Sequence, residues 1–264
     1  MSARLPLVFS HANGFPAPGY DKLLTALAGD FDIRYLPRLA HDPAYPVTDG
    51  WPELVRELIA YVERGPCPAV AVGHSLGGFL SFMAAVQRPE LFSALILLDA
   101  PVIGRYRARA LQMGKRFGII DRVTPAHATR DRRRTWASEA EAVAHFRSRK
   151  LFRHFDPDCL CDYVRHGTIQ TPQGLSLWFD PLIEARIYCT IPHRLHALLP
   201  HLAVPAGFIG GRQSRELRLF GLSAMRGRLR MRSIEGGHLF PFEHPLATAV
   251  AIREMSQVLL AAAR

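Results

Sequence analysis

The feature that most constrains this chain is an apolar strand that runs, without a loop, into a glycine-flanked serine and then into a helix. Residues 69–72 have strand composition, Gly73-His74-Ser75-Leu76-Gly77 follows at once, and the pattern predicts a helix over 76–87, stopped before Pro89. A serine at such a junction stands on a sharp strand-to-helix turn in a strained conformation. Side chains two positions before and after it would collide across the turn, which accounts for Gly73 and Gly77. The following helix aims its N-terminus, with its partial positive charge, at the serine. G-x-S-x-G is a short pattern that arises by chance; the strand before it and the helix behind it give it meaning.

The rest of the chain repeats the same rhythm. Strands are expected over 5–10, 31–36, 69–72 and 94–98. Helices are expected over 21–28, over the stretch opened by Pro52, whose apolar stripe is Leu54, Val55, Leu58, Ile59 and Val62, and over 76–87. Continuous apolar strands alternating with helices imply a mostly parallel, doubly wound sheet covered on both faces. The rhythm breaks at Gly104. Residues 104–200 hold helical patterns over 105–117, 138–155 and 158–167, together with Trp136, Tyr163, Trp178, Phe179 and Tyr188. A structureless loop of that length is not expected in a compact domain, so the region reads as an inserted, mostly helical subdomain. Strands resume at 206–209 and 229–234, and a helix is expected from about 245 to 262. The domain reading is a core of 1–103 and 201–264 with an insertion of 104–200.

Composition narrows the classes. Of the 264 residues, 48% are hydrophobic and 21% charged, which is globular and not disordered. No apolar run reaches the roughly 20 residues of a membrane-spanning helix. Residues 5–9 are too short a run for a signal-peptide core and read as the first strand. Cys67, Cys159, Cys161 and Cys189 have neither metal-ligand spacing nor a paired framework, which fits free thiols in a reducing cytoplasm. The net charge is +10, and 17 Lys and Arg against 9 Asp and Glu place +8 of it in residues 104–200. No nucleic-acid motif accompanies that charge, so no nucleic-acid partner is expected.

With the turn at Ser75 and the order of elements in place, the chain resembles the α/β-hydrolase family over nearly its whole length. The resemblance implies the α/β-hydrolase fold with a helical cap, and roles for particular residues. The general base is expected on the loop after the last strand, where Ile234-Glu235-Gly236-Gly237-His238 stands, followed by Glu243-His244-Pro245 in the manner of the family's E-x-P. That makes Ser75 the nucleophile and His238 its base. Oxyanion donors are expected at the N–H of Leu76 and in Ser10-His11-Ala12-Asn13-Gly14-Phe15-Pro16. There His11 fits the family's histidine, Ala12 replaces the usual glycine, and Asn13 is the favoured donor with Ala12 and Phe15 as alternatives.

The acid is where the pattern departs. The family's G-x-x-D reads Gly211-Arg212-Gln213-Ser214 here, and serine cannot supply the charge. Asp99, at the end of the strand over 94–98, is the favoured acid, with Glu216 as the alternative. The expected function is hydrolysis of an ester or related acyl bond through an acyl-enzyme, on a small-molecule acyl substrate, with no metal or organic cofactor. Two alternatives stand beside it. One is thioester hydrolysis or acyl transfer, in which the basic insertion meets the phosphates of coenzyme A. The other is a non-enzymatic, ligand-binding member of the fold.

Overall fold

The computed structural model describes residues 4–262. In chain order its elements begin with β1 (Leu5–Ser10), α1 (Asp21–Leu27), β2 (Phe31–Tyr35), α2 (Pro52–Glu63), β3 (Ala69–His74), α3 (Leu76–Gln87) and β4 (Phe92–Leu98). The region expected to be inserted contains α4 (Arg105–Arg116), α5 (Ile120–Val123), α6 (Ala126–Arg130), β5 (Thr135–Trp136), α7 (Glu139–Ser148), α8 (Pro157–Gly167), β6 (Thr168–Thr171), β7 (Gly174–Leu177) and α9 (Pro181–Cys189). The chain closes with β8 (Ala206–Gly211), α10 (Arg215–Phe220), β9 (Arg230–Ile234), α11 (Phe240–Glu243) and α12 (Pro245–Ala262).

Six strands form one sheet in the order β2-β1-β3-β4-β8-β9, every neighbouring pair parallel. The two-residue period of a strand divides its side chains between two cores. Leu7 and Phe9 of β1, Val72 of β3 and Ile96 of β4 join the face covered by α1 and α12. Val8, Ala71, Leu95 and Leu97 join the face covered by α2 and α3. Burial on both faces is why these strands are continuous apolar runs and not alternating ones.

The strand order reverses at β1. The chain leaves β1 for β2 on one side and returns to β3 on the other, and such a switch point at the strands' C-terminal ends is where open parallel sheets commonly bind ligands. Ser10-His11-Ala12-Asn13 and Ser75 stand at that switch point, after β1 and β3. The region between β4 and β8 is less uniformly helical than its sequence suggests. Its helices are joined by a small antiparallel sheet, β5-β7-β6, whose β6-β7 hairpin turns at residues 172–173, just before Gly174 with φ 114°. The expected helix over 138–155 ends at Ser148, capped at its start by the Ser138 side chain on Glu141 N–H.

This region is anchored to the sheet by aromatic packing. The Phe15 ring, from the loop after β1, lies 5.2 Å from Tyr163 of α8 and 5.3 Å from Phe242 of α11, and Phe155 stacks on Phe242 at 4.8 Å. Rings in this range attract beyond their area burial.

The turn at Ser75 is packed backbone on backbone. A Cβ at Gly77 would lie 2.1 Å from the Ser10 carbonyl oxygen, and one at Gly73 would lie 2.4 Å from the Gly77 carbonyl oxygen. Neither neighbour is a flexible side chain, so neither can yield without moving a strand. Gly77→Ala is therefore expected to cost about 3 kcal/mol of stability, the upper end of ordinary overpacking. Urea denaturation measures it; a loss below about 0.5 kcal/mol, the level of a neutral surface change, would count against this packing.

Candidate active site

Ser75 follows β3 and caps α3 with φ 51° and ψ −114°, outside the regions comfortable for a residue bearing a Cβ. Its own N–H donates to the Leu98 carbonyl at 3.0 Å, and Gly77 N–H donates to the His11 carbonyl at 3.1 Å. The turn is thereby fixed to β4 on one side and to the loop after β1 on the other. The Ser75 hydroxyl lies 3.0 Å from His238 Nε2. The opposite nitrogen of that ring, Nδ1, donates to Asp99 Oδ2 at 2.7 Å. His238 reaches this position on the loop between β9 and α11, which turns at Gly236 with φ 112°.

Asp99 follows β4 with φ 45°, a conformation aspartate tolerates better than most side chains. It is fully buried. Its carboxylate is nonetheless satisfied: Oδ1 accepts from Gly211 N–H at 2.9 Å, and Oδ2 accepts from the Ser214 hydroxyl at 2.6 Å as well as from His238. Ser214, at the position where the family's aspartate was expected, thus donates to a carboxylate supplied by another strand. Its oxygen also accepts from Leu217 N–H at the start of α10. Glu216 stands further off, with Oε2 3.8 Å from His238 Nδ1 and 3.1 Å from the Ser214 hydroxyl. That hydroxyl has one proton, and Asp99 is the nearer acceptor.

Asp99, Glu216 and His238 hold three possible ligand atoms within 4.8 Å of one another. The short contacts among them are occupied by protons, on His238 Nδ1 and on the Ser214 hydroxyl. This donor set suits proton transfer, and a cation would have to displace those protons to enter it. Burial disfavours the His238 imidazolium, but the Asp99 hydrogen bond and charge, with Glu216 and Glu243, outweigh it, so the ring's pKa lies above its ordinary 6.5.

In the loop after β1, Ala12 N–H donates to the Tyr20 hydroxyl at 3.2 Å and Phe15 N–H donates to the Ala12 carbonyl at 3.1 Å. Among the described residues, the N–H groups of Asn13 and Leu76 are not engaged in this way. Two of the three sequence alternatives for the loop donor are therefore spent. The Asn13 side chain points elsewhere, its Nδ2 donating to the Glu184 carbonyl at 3.0 Å. His11 is buried, its Nδ1–H donating to the Ala12 carbonyl and its Nε2 accepting from Leu39 N–H, each at 2.8 Å. Burial lowers its pKa to about 4, so it holds the loop as a neutral ring.

Three participants are not legible as such in the sequence. Glu184 of α9 pairs with Arg132 and packs against Gly14, bringing α9 onto the loop that carries Asn13. Tyr20 and His74 lie behind the site, bonded to each other at 2.7 Å. Only the strand-helix junction hints at His74, and nothing local marks Tyr20 or Glu184.

A sequence profile described as the alpha/beta hydrolase family matches residues 7–251. Two proteins of Penicillium brevicompactum, the type I acyl-CoA thioesterases mpaH and mpaH', are each 26% identical over 189 residues, covering 65% of this chain and 41% of theirs. The chain thus matches less than half the length of these curated relatives. Among solved structures, a thioesterase domain from the curacin biosynthetic pathway superposes with a TM-score of 0.72 at 15% identity, covering 95% of this chain and 91% of that one. An E-2-(acetamidomethylene)succinate hydrolase gives 0.72 at 20% identity, covering 97% and 92%. An esterase of M. tuberculosis gives 0.70 at 20%, covering 97% and 87%. At these identities the structures share the fold.

The His238 ring carries a direct check on its partner. Removing the Asp99 charge leaves burial as the dominant influence, so Asp99→Asn should drop the His238 pKa below 6.5, while Glu216→Gln should lower it less. Ring-proton NMR titration reads both. A large drop in Glu216→Gln with none in Asp99→Asn would make Glu216 the partner.

Proposed function

Because the chain belongs to the α/β-hydrolase family, we propose that it is a serine hydrolase that cleaves an ester or related acyl bond through an acyl-enzyme. The observation that carries this reading is the continuous path from the Ser75 hydroxyl to His238 Nε2 at 3.0 Å and from His238 Nδ1 to the buried Asp99 at 2.7 Å. A serine hydroxyl is a weak nucleophile until a base takes its proton. His238 Nε2 takes it as Ser75 Oγ attacks the acyl carbon. Asp99 keeps the other ring proton on Nδ1 and stabilises the imidazolium. Negative charge growing on the carbonyl oxygen meets the Leu76 and Asn13 N–H groups, with the positive end of α3 behind Leu76. His238 then returns its proton to the departing alkoxide or thiolate. In the second half, His238 removes a proton from water, the hydroxide attacks the acyl carbon, and Ser75 leaves with the proton restored.

A second reading, thioester hydrolysis or acyl transfer, is favoured by the acyl-CoA thioesterases among the relatives and by the net +8 of residues 104–200. It uses the same residues, with the basic region facing the phosphates of coenzyme A. Turnover of acyl-CoA well above that of p-nitrophenyl esters would select it. Residues 104–200 act in either case as a lid over Ser75, a reading supported by the contact of α9 with the Asn13 loop. Exchanging this region should reorder preference among ester chain lengths; an unchanged order counts against a lid.

Ser75→Ala should fold normally and lose about 10⁴-fold or more in turnover of p-nitrophenyl esters. Undiminished turnover by the folded variant would refute Ser75 as nucleophile. A wild-type protein that turns over neither esters nor thioesters, and does not react with a fluorophosphonate, would instead be a ligand-binding member of the fold.

A further inference from the structure

His74, the residue inside the turn that precedes Ser75, is fully buried, and both of its ring nitrogens are bonded. Its Nδ1 lies 2.7 Å from the Tyr20 hydroxyl and its Nε2 lies 2.9 Å from the backbone carbonyl of His238. The direction of each bond follows from its partner. A carbonyl only accepts, so Nε2 carries the proton and donates. The Tyr20 oxygen already accepts from Ala12 N–H at 3.2 Å, so its own proton goes to Nδ1. One hydrogen-bond chain therefore runs from Ala12 N–H to the Tyr20 oxygen, from Tyr20 O–H to His74 Nδ1, and from His74 Nε2–H to the His238 carbonyl. No polar atom along it is unsatisfied, and no other tautomer of His74 satisfies them all.

We propose that His74 is a positioning residue, which sets the backbone of the general base and the loop carrying the oxyanion donor in one register with Ser75. This rests on the serine-hydrolase reading above. The three segments it joins arrive from far apart in the chain, after β1, at the end of β3 and after β9, and the last is a loop freed by Gly236 and Gly237. Asp99 fixes the far side of the His238 ring, but a bond at Nδ1 leaves the ring able to pivot about it. The His74 bond to the His238 carbonyl removes that freedom from the backbone side. Tyr20 packs against Phe242 at 4.2 Å and Phe9 at 4.7 Å, so the chain is held against the core and not against a mobile surface. Burial, followed by the nearby His238 charge, keeps His74 neutral, which the acceptor role of Nδ1 requires.

The substitutions that test this separate positioning from packing. His74→Phe fills the space without either bond, Tyr20→Phe deletes one hydroxyl, and His74→Gln retains one donor and one acceptor. On a p-nitrophenyl ester, His74→Phe and Tyr20→Phe are expected to lower kcat by about 10- to 100-fold, the cost of misplacing a catalytic group by about 1 Å. KM should stay within about twofold, and His74→Gln should recover part of the kcat loss. A folded His74→Phe with unchanged kcat would overturn the proposal, as would a Gln variant no better than Phe. Nitrogen-15 NMR of the histidine rings gives a readout that does not need turnover. His74 should be a neutral Nε2–H tautomer, and the His238 ring signals should shift in His74→Phe. A Nδ1–H tautomer, or unmoved His238 signals, overturns the proposal even if the protein hydrolyses nothing; absent turnover with the expected signals defeats only the hydrolase reading.

Discussion

The arrangement around Ser75 depends on one buried carboxylate. Asp99 has no access to solvent, and an unpaired charge in that position would be prohibitively costly. Three donors compensate it, and each comes from a different segment: the Gly211 N–H at the end of β8, the Ser214 hydroxyl at the start of α10, and His238 after β9. Satisfying the charge therefore assembles the loops. Losing any one donor leaves a group in low dielectric with unmet hydrogen-bonding capacity, a larger penalty than the net value of the bond when made. The same carboxylate that accepts from His238 is thus a structural requirement of the C-terminal edge of the sheet.

A second buried ionic contact lies across the site, between Arg132 and Glu184, and behaves differently. Burial raises the Glu184 pKa to about 7 despite the opposing Arg132 guanidinium. A buried ion pair commonly adds little net stability, because desolvation offsets the attraction. What it contributes is placement: it holds α9 on Gly14 and Asn13. The two sites divide the work, with one anchoring the Ser75–His238–Asp99 hydrogen bonds and the other fixing which part of the 104–200 region faces the loop after β1.

Much of this was legible in the sequence because its signals are local. The junction at Ser75 joins a strand, two glycines and a helix within nine residues, and backbone collisions leave few alternatives. The Gly236-Gly237-His238 loop and Asp99 both follow strands that the strand-helix rhythm identifies. The rest was not legible, because it depends on side chains meeting across the fold. Ser214 reads as a lost charge until Asp99 is seen beside it, its carboxylate accepting the Ser214 proton from the end of a neighbouring strand. His74 is a free position within its motif and Tyr20 an ordinary aromatic, yet both lie on the hydrogen-bond chain behind His238. The strands β5, β6 and β7 escaped a period-based reading because two to four residues cannot establish a period.

In the proposed reaction Ser75 attacks an acyl carbon whose oxygen is received by Leu76 and Asn13 while His238, held by Asp99, moves the proton. A crystal structure of the protein after reaction with a fluorophosphonate tests all of these positions together, since the phosphonyl group imitates the tetrahedral intermediate. The adduct should have phosphorus bonded to Ser75 Oγ, the phosphonyl oxygen about 2.7–3.1 Å from the N–H nitrogens of Leu76 and Asn13, and the His238–Asp99 bond intact. A phosphonyl oxygen turned away from both N–H groups, or an adduct on any other residue, would contradict it.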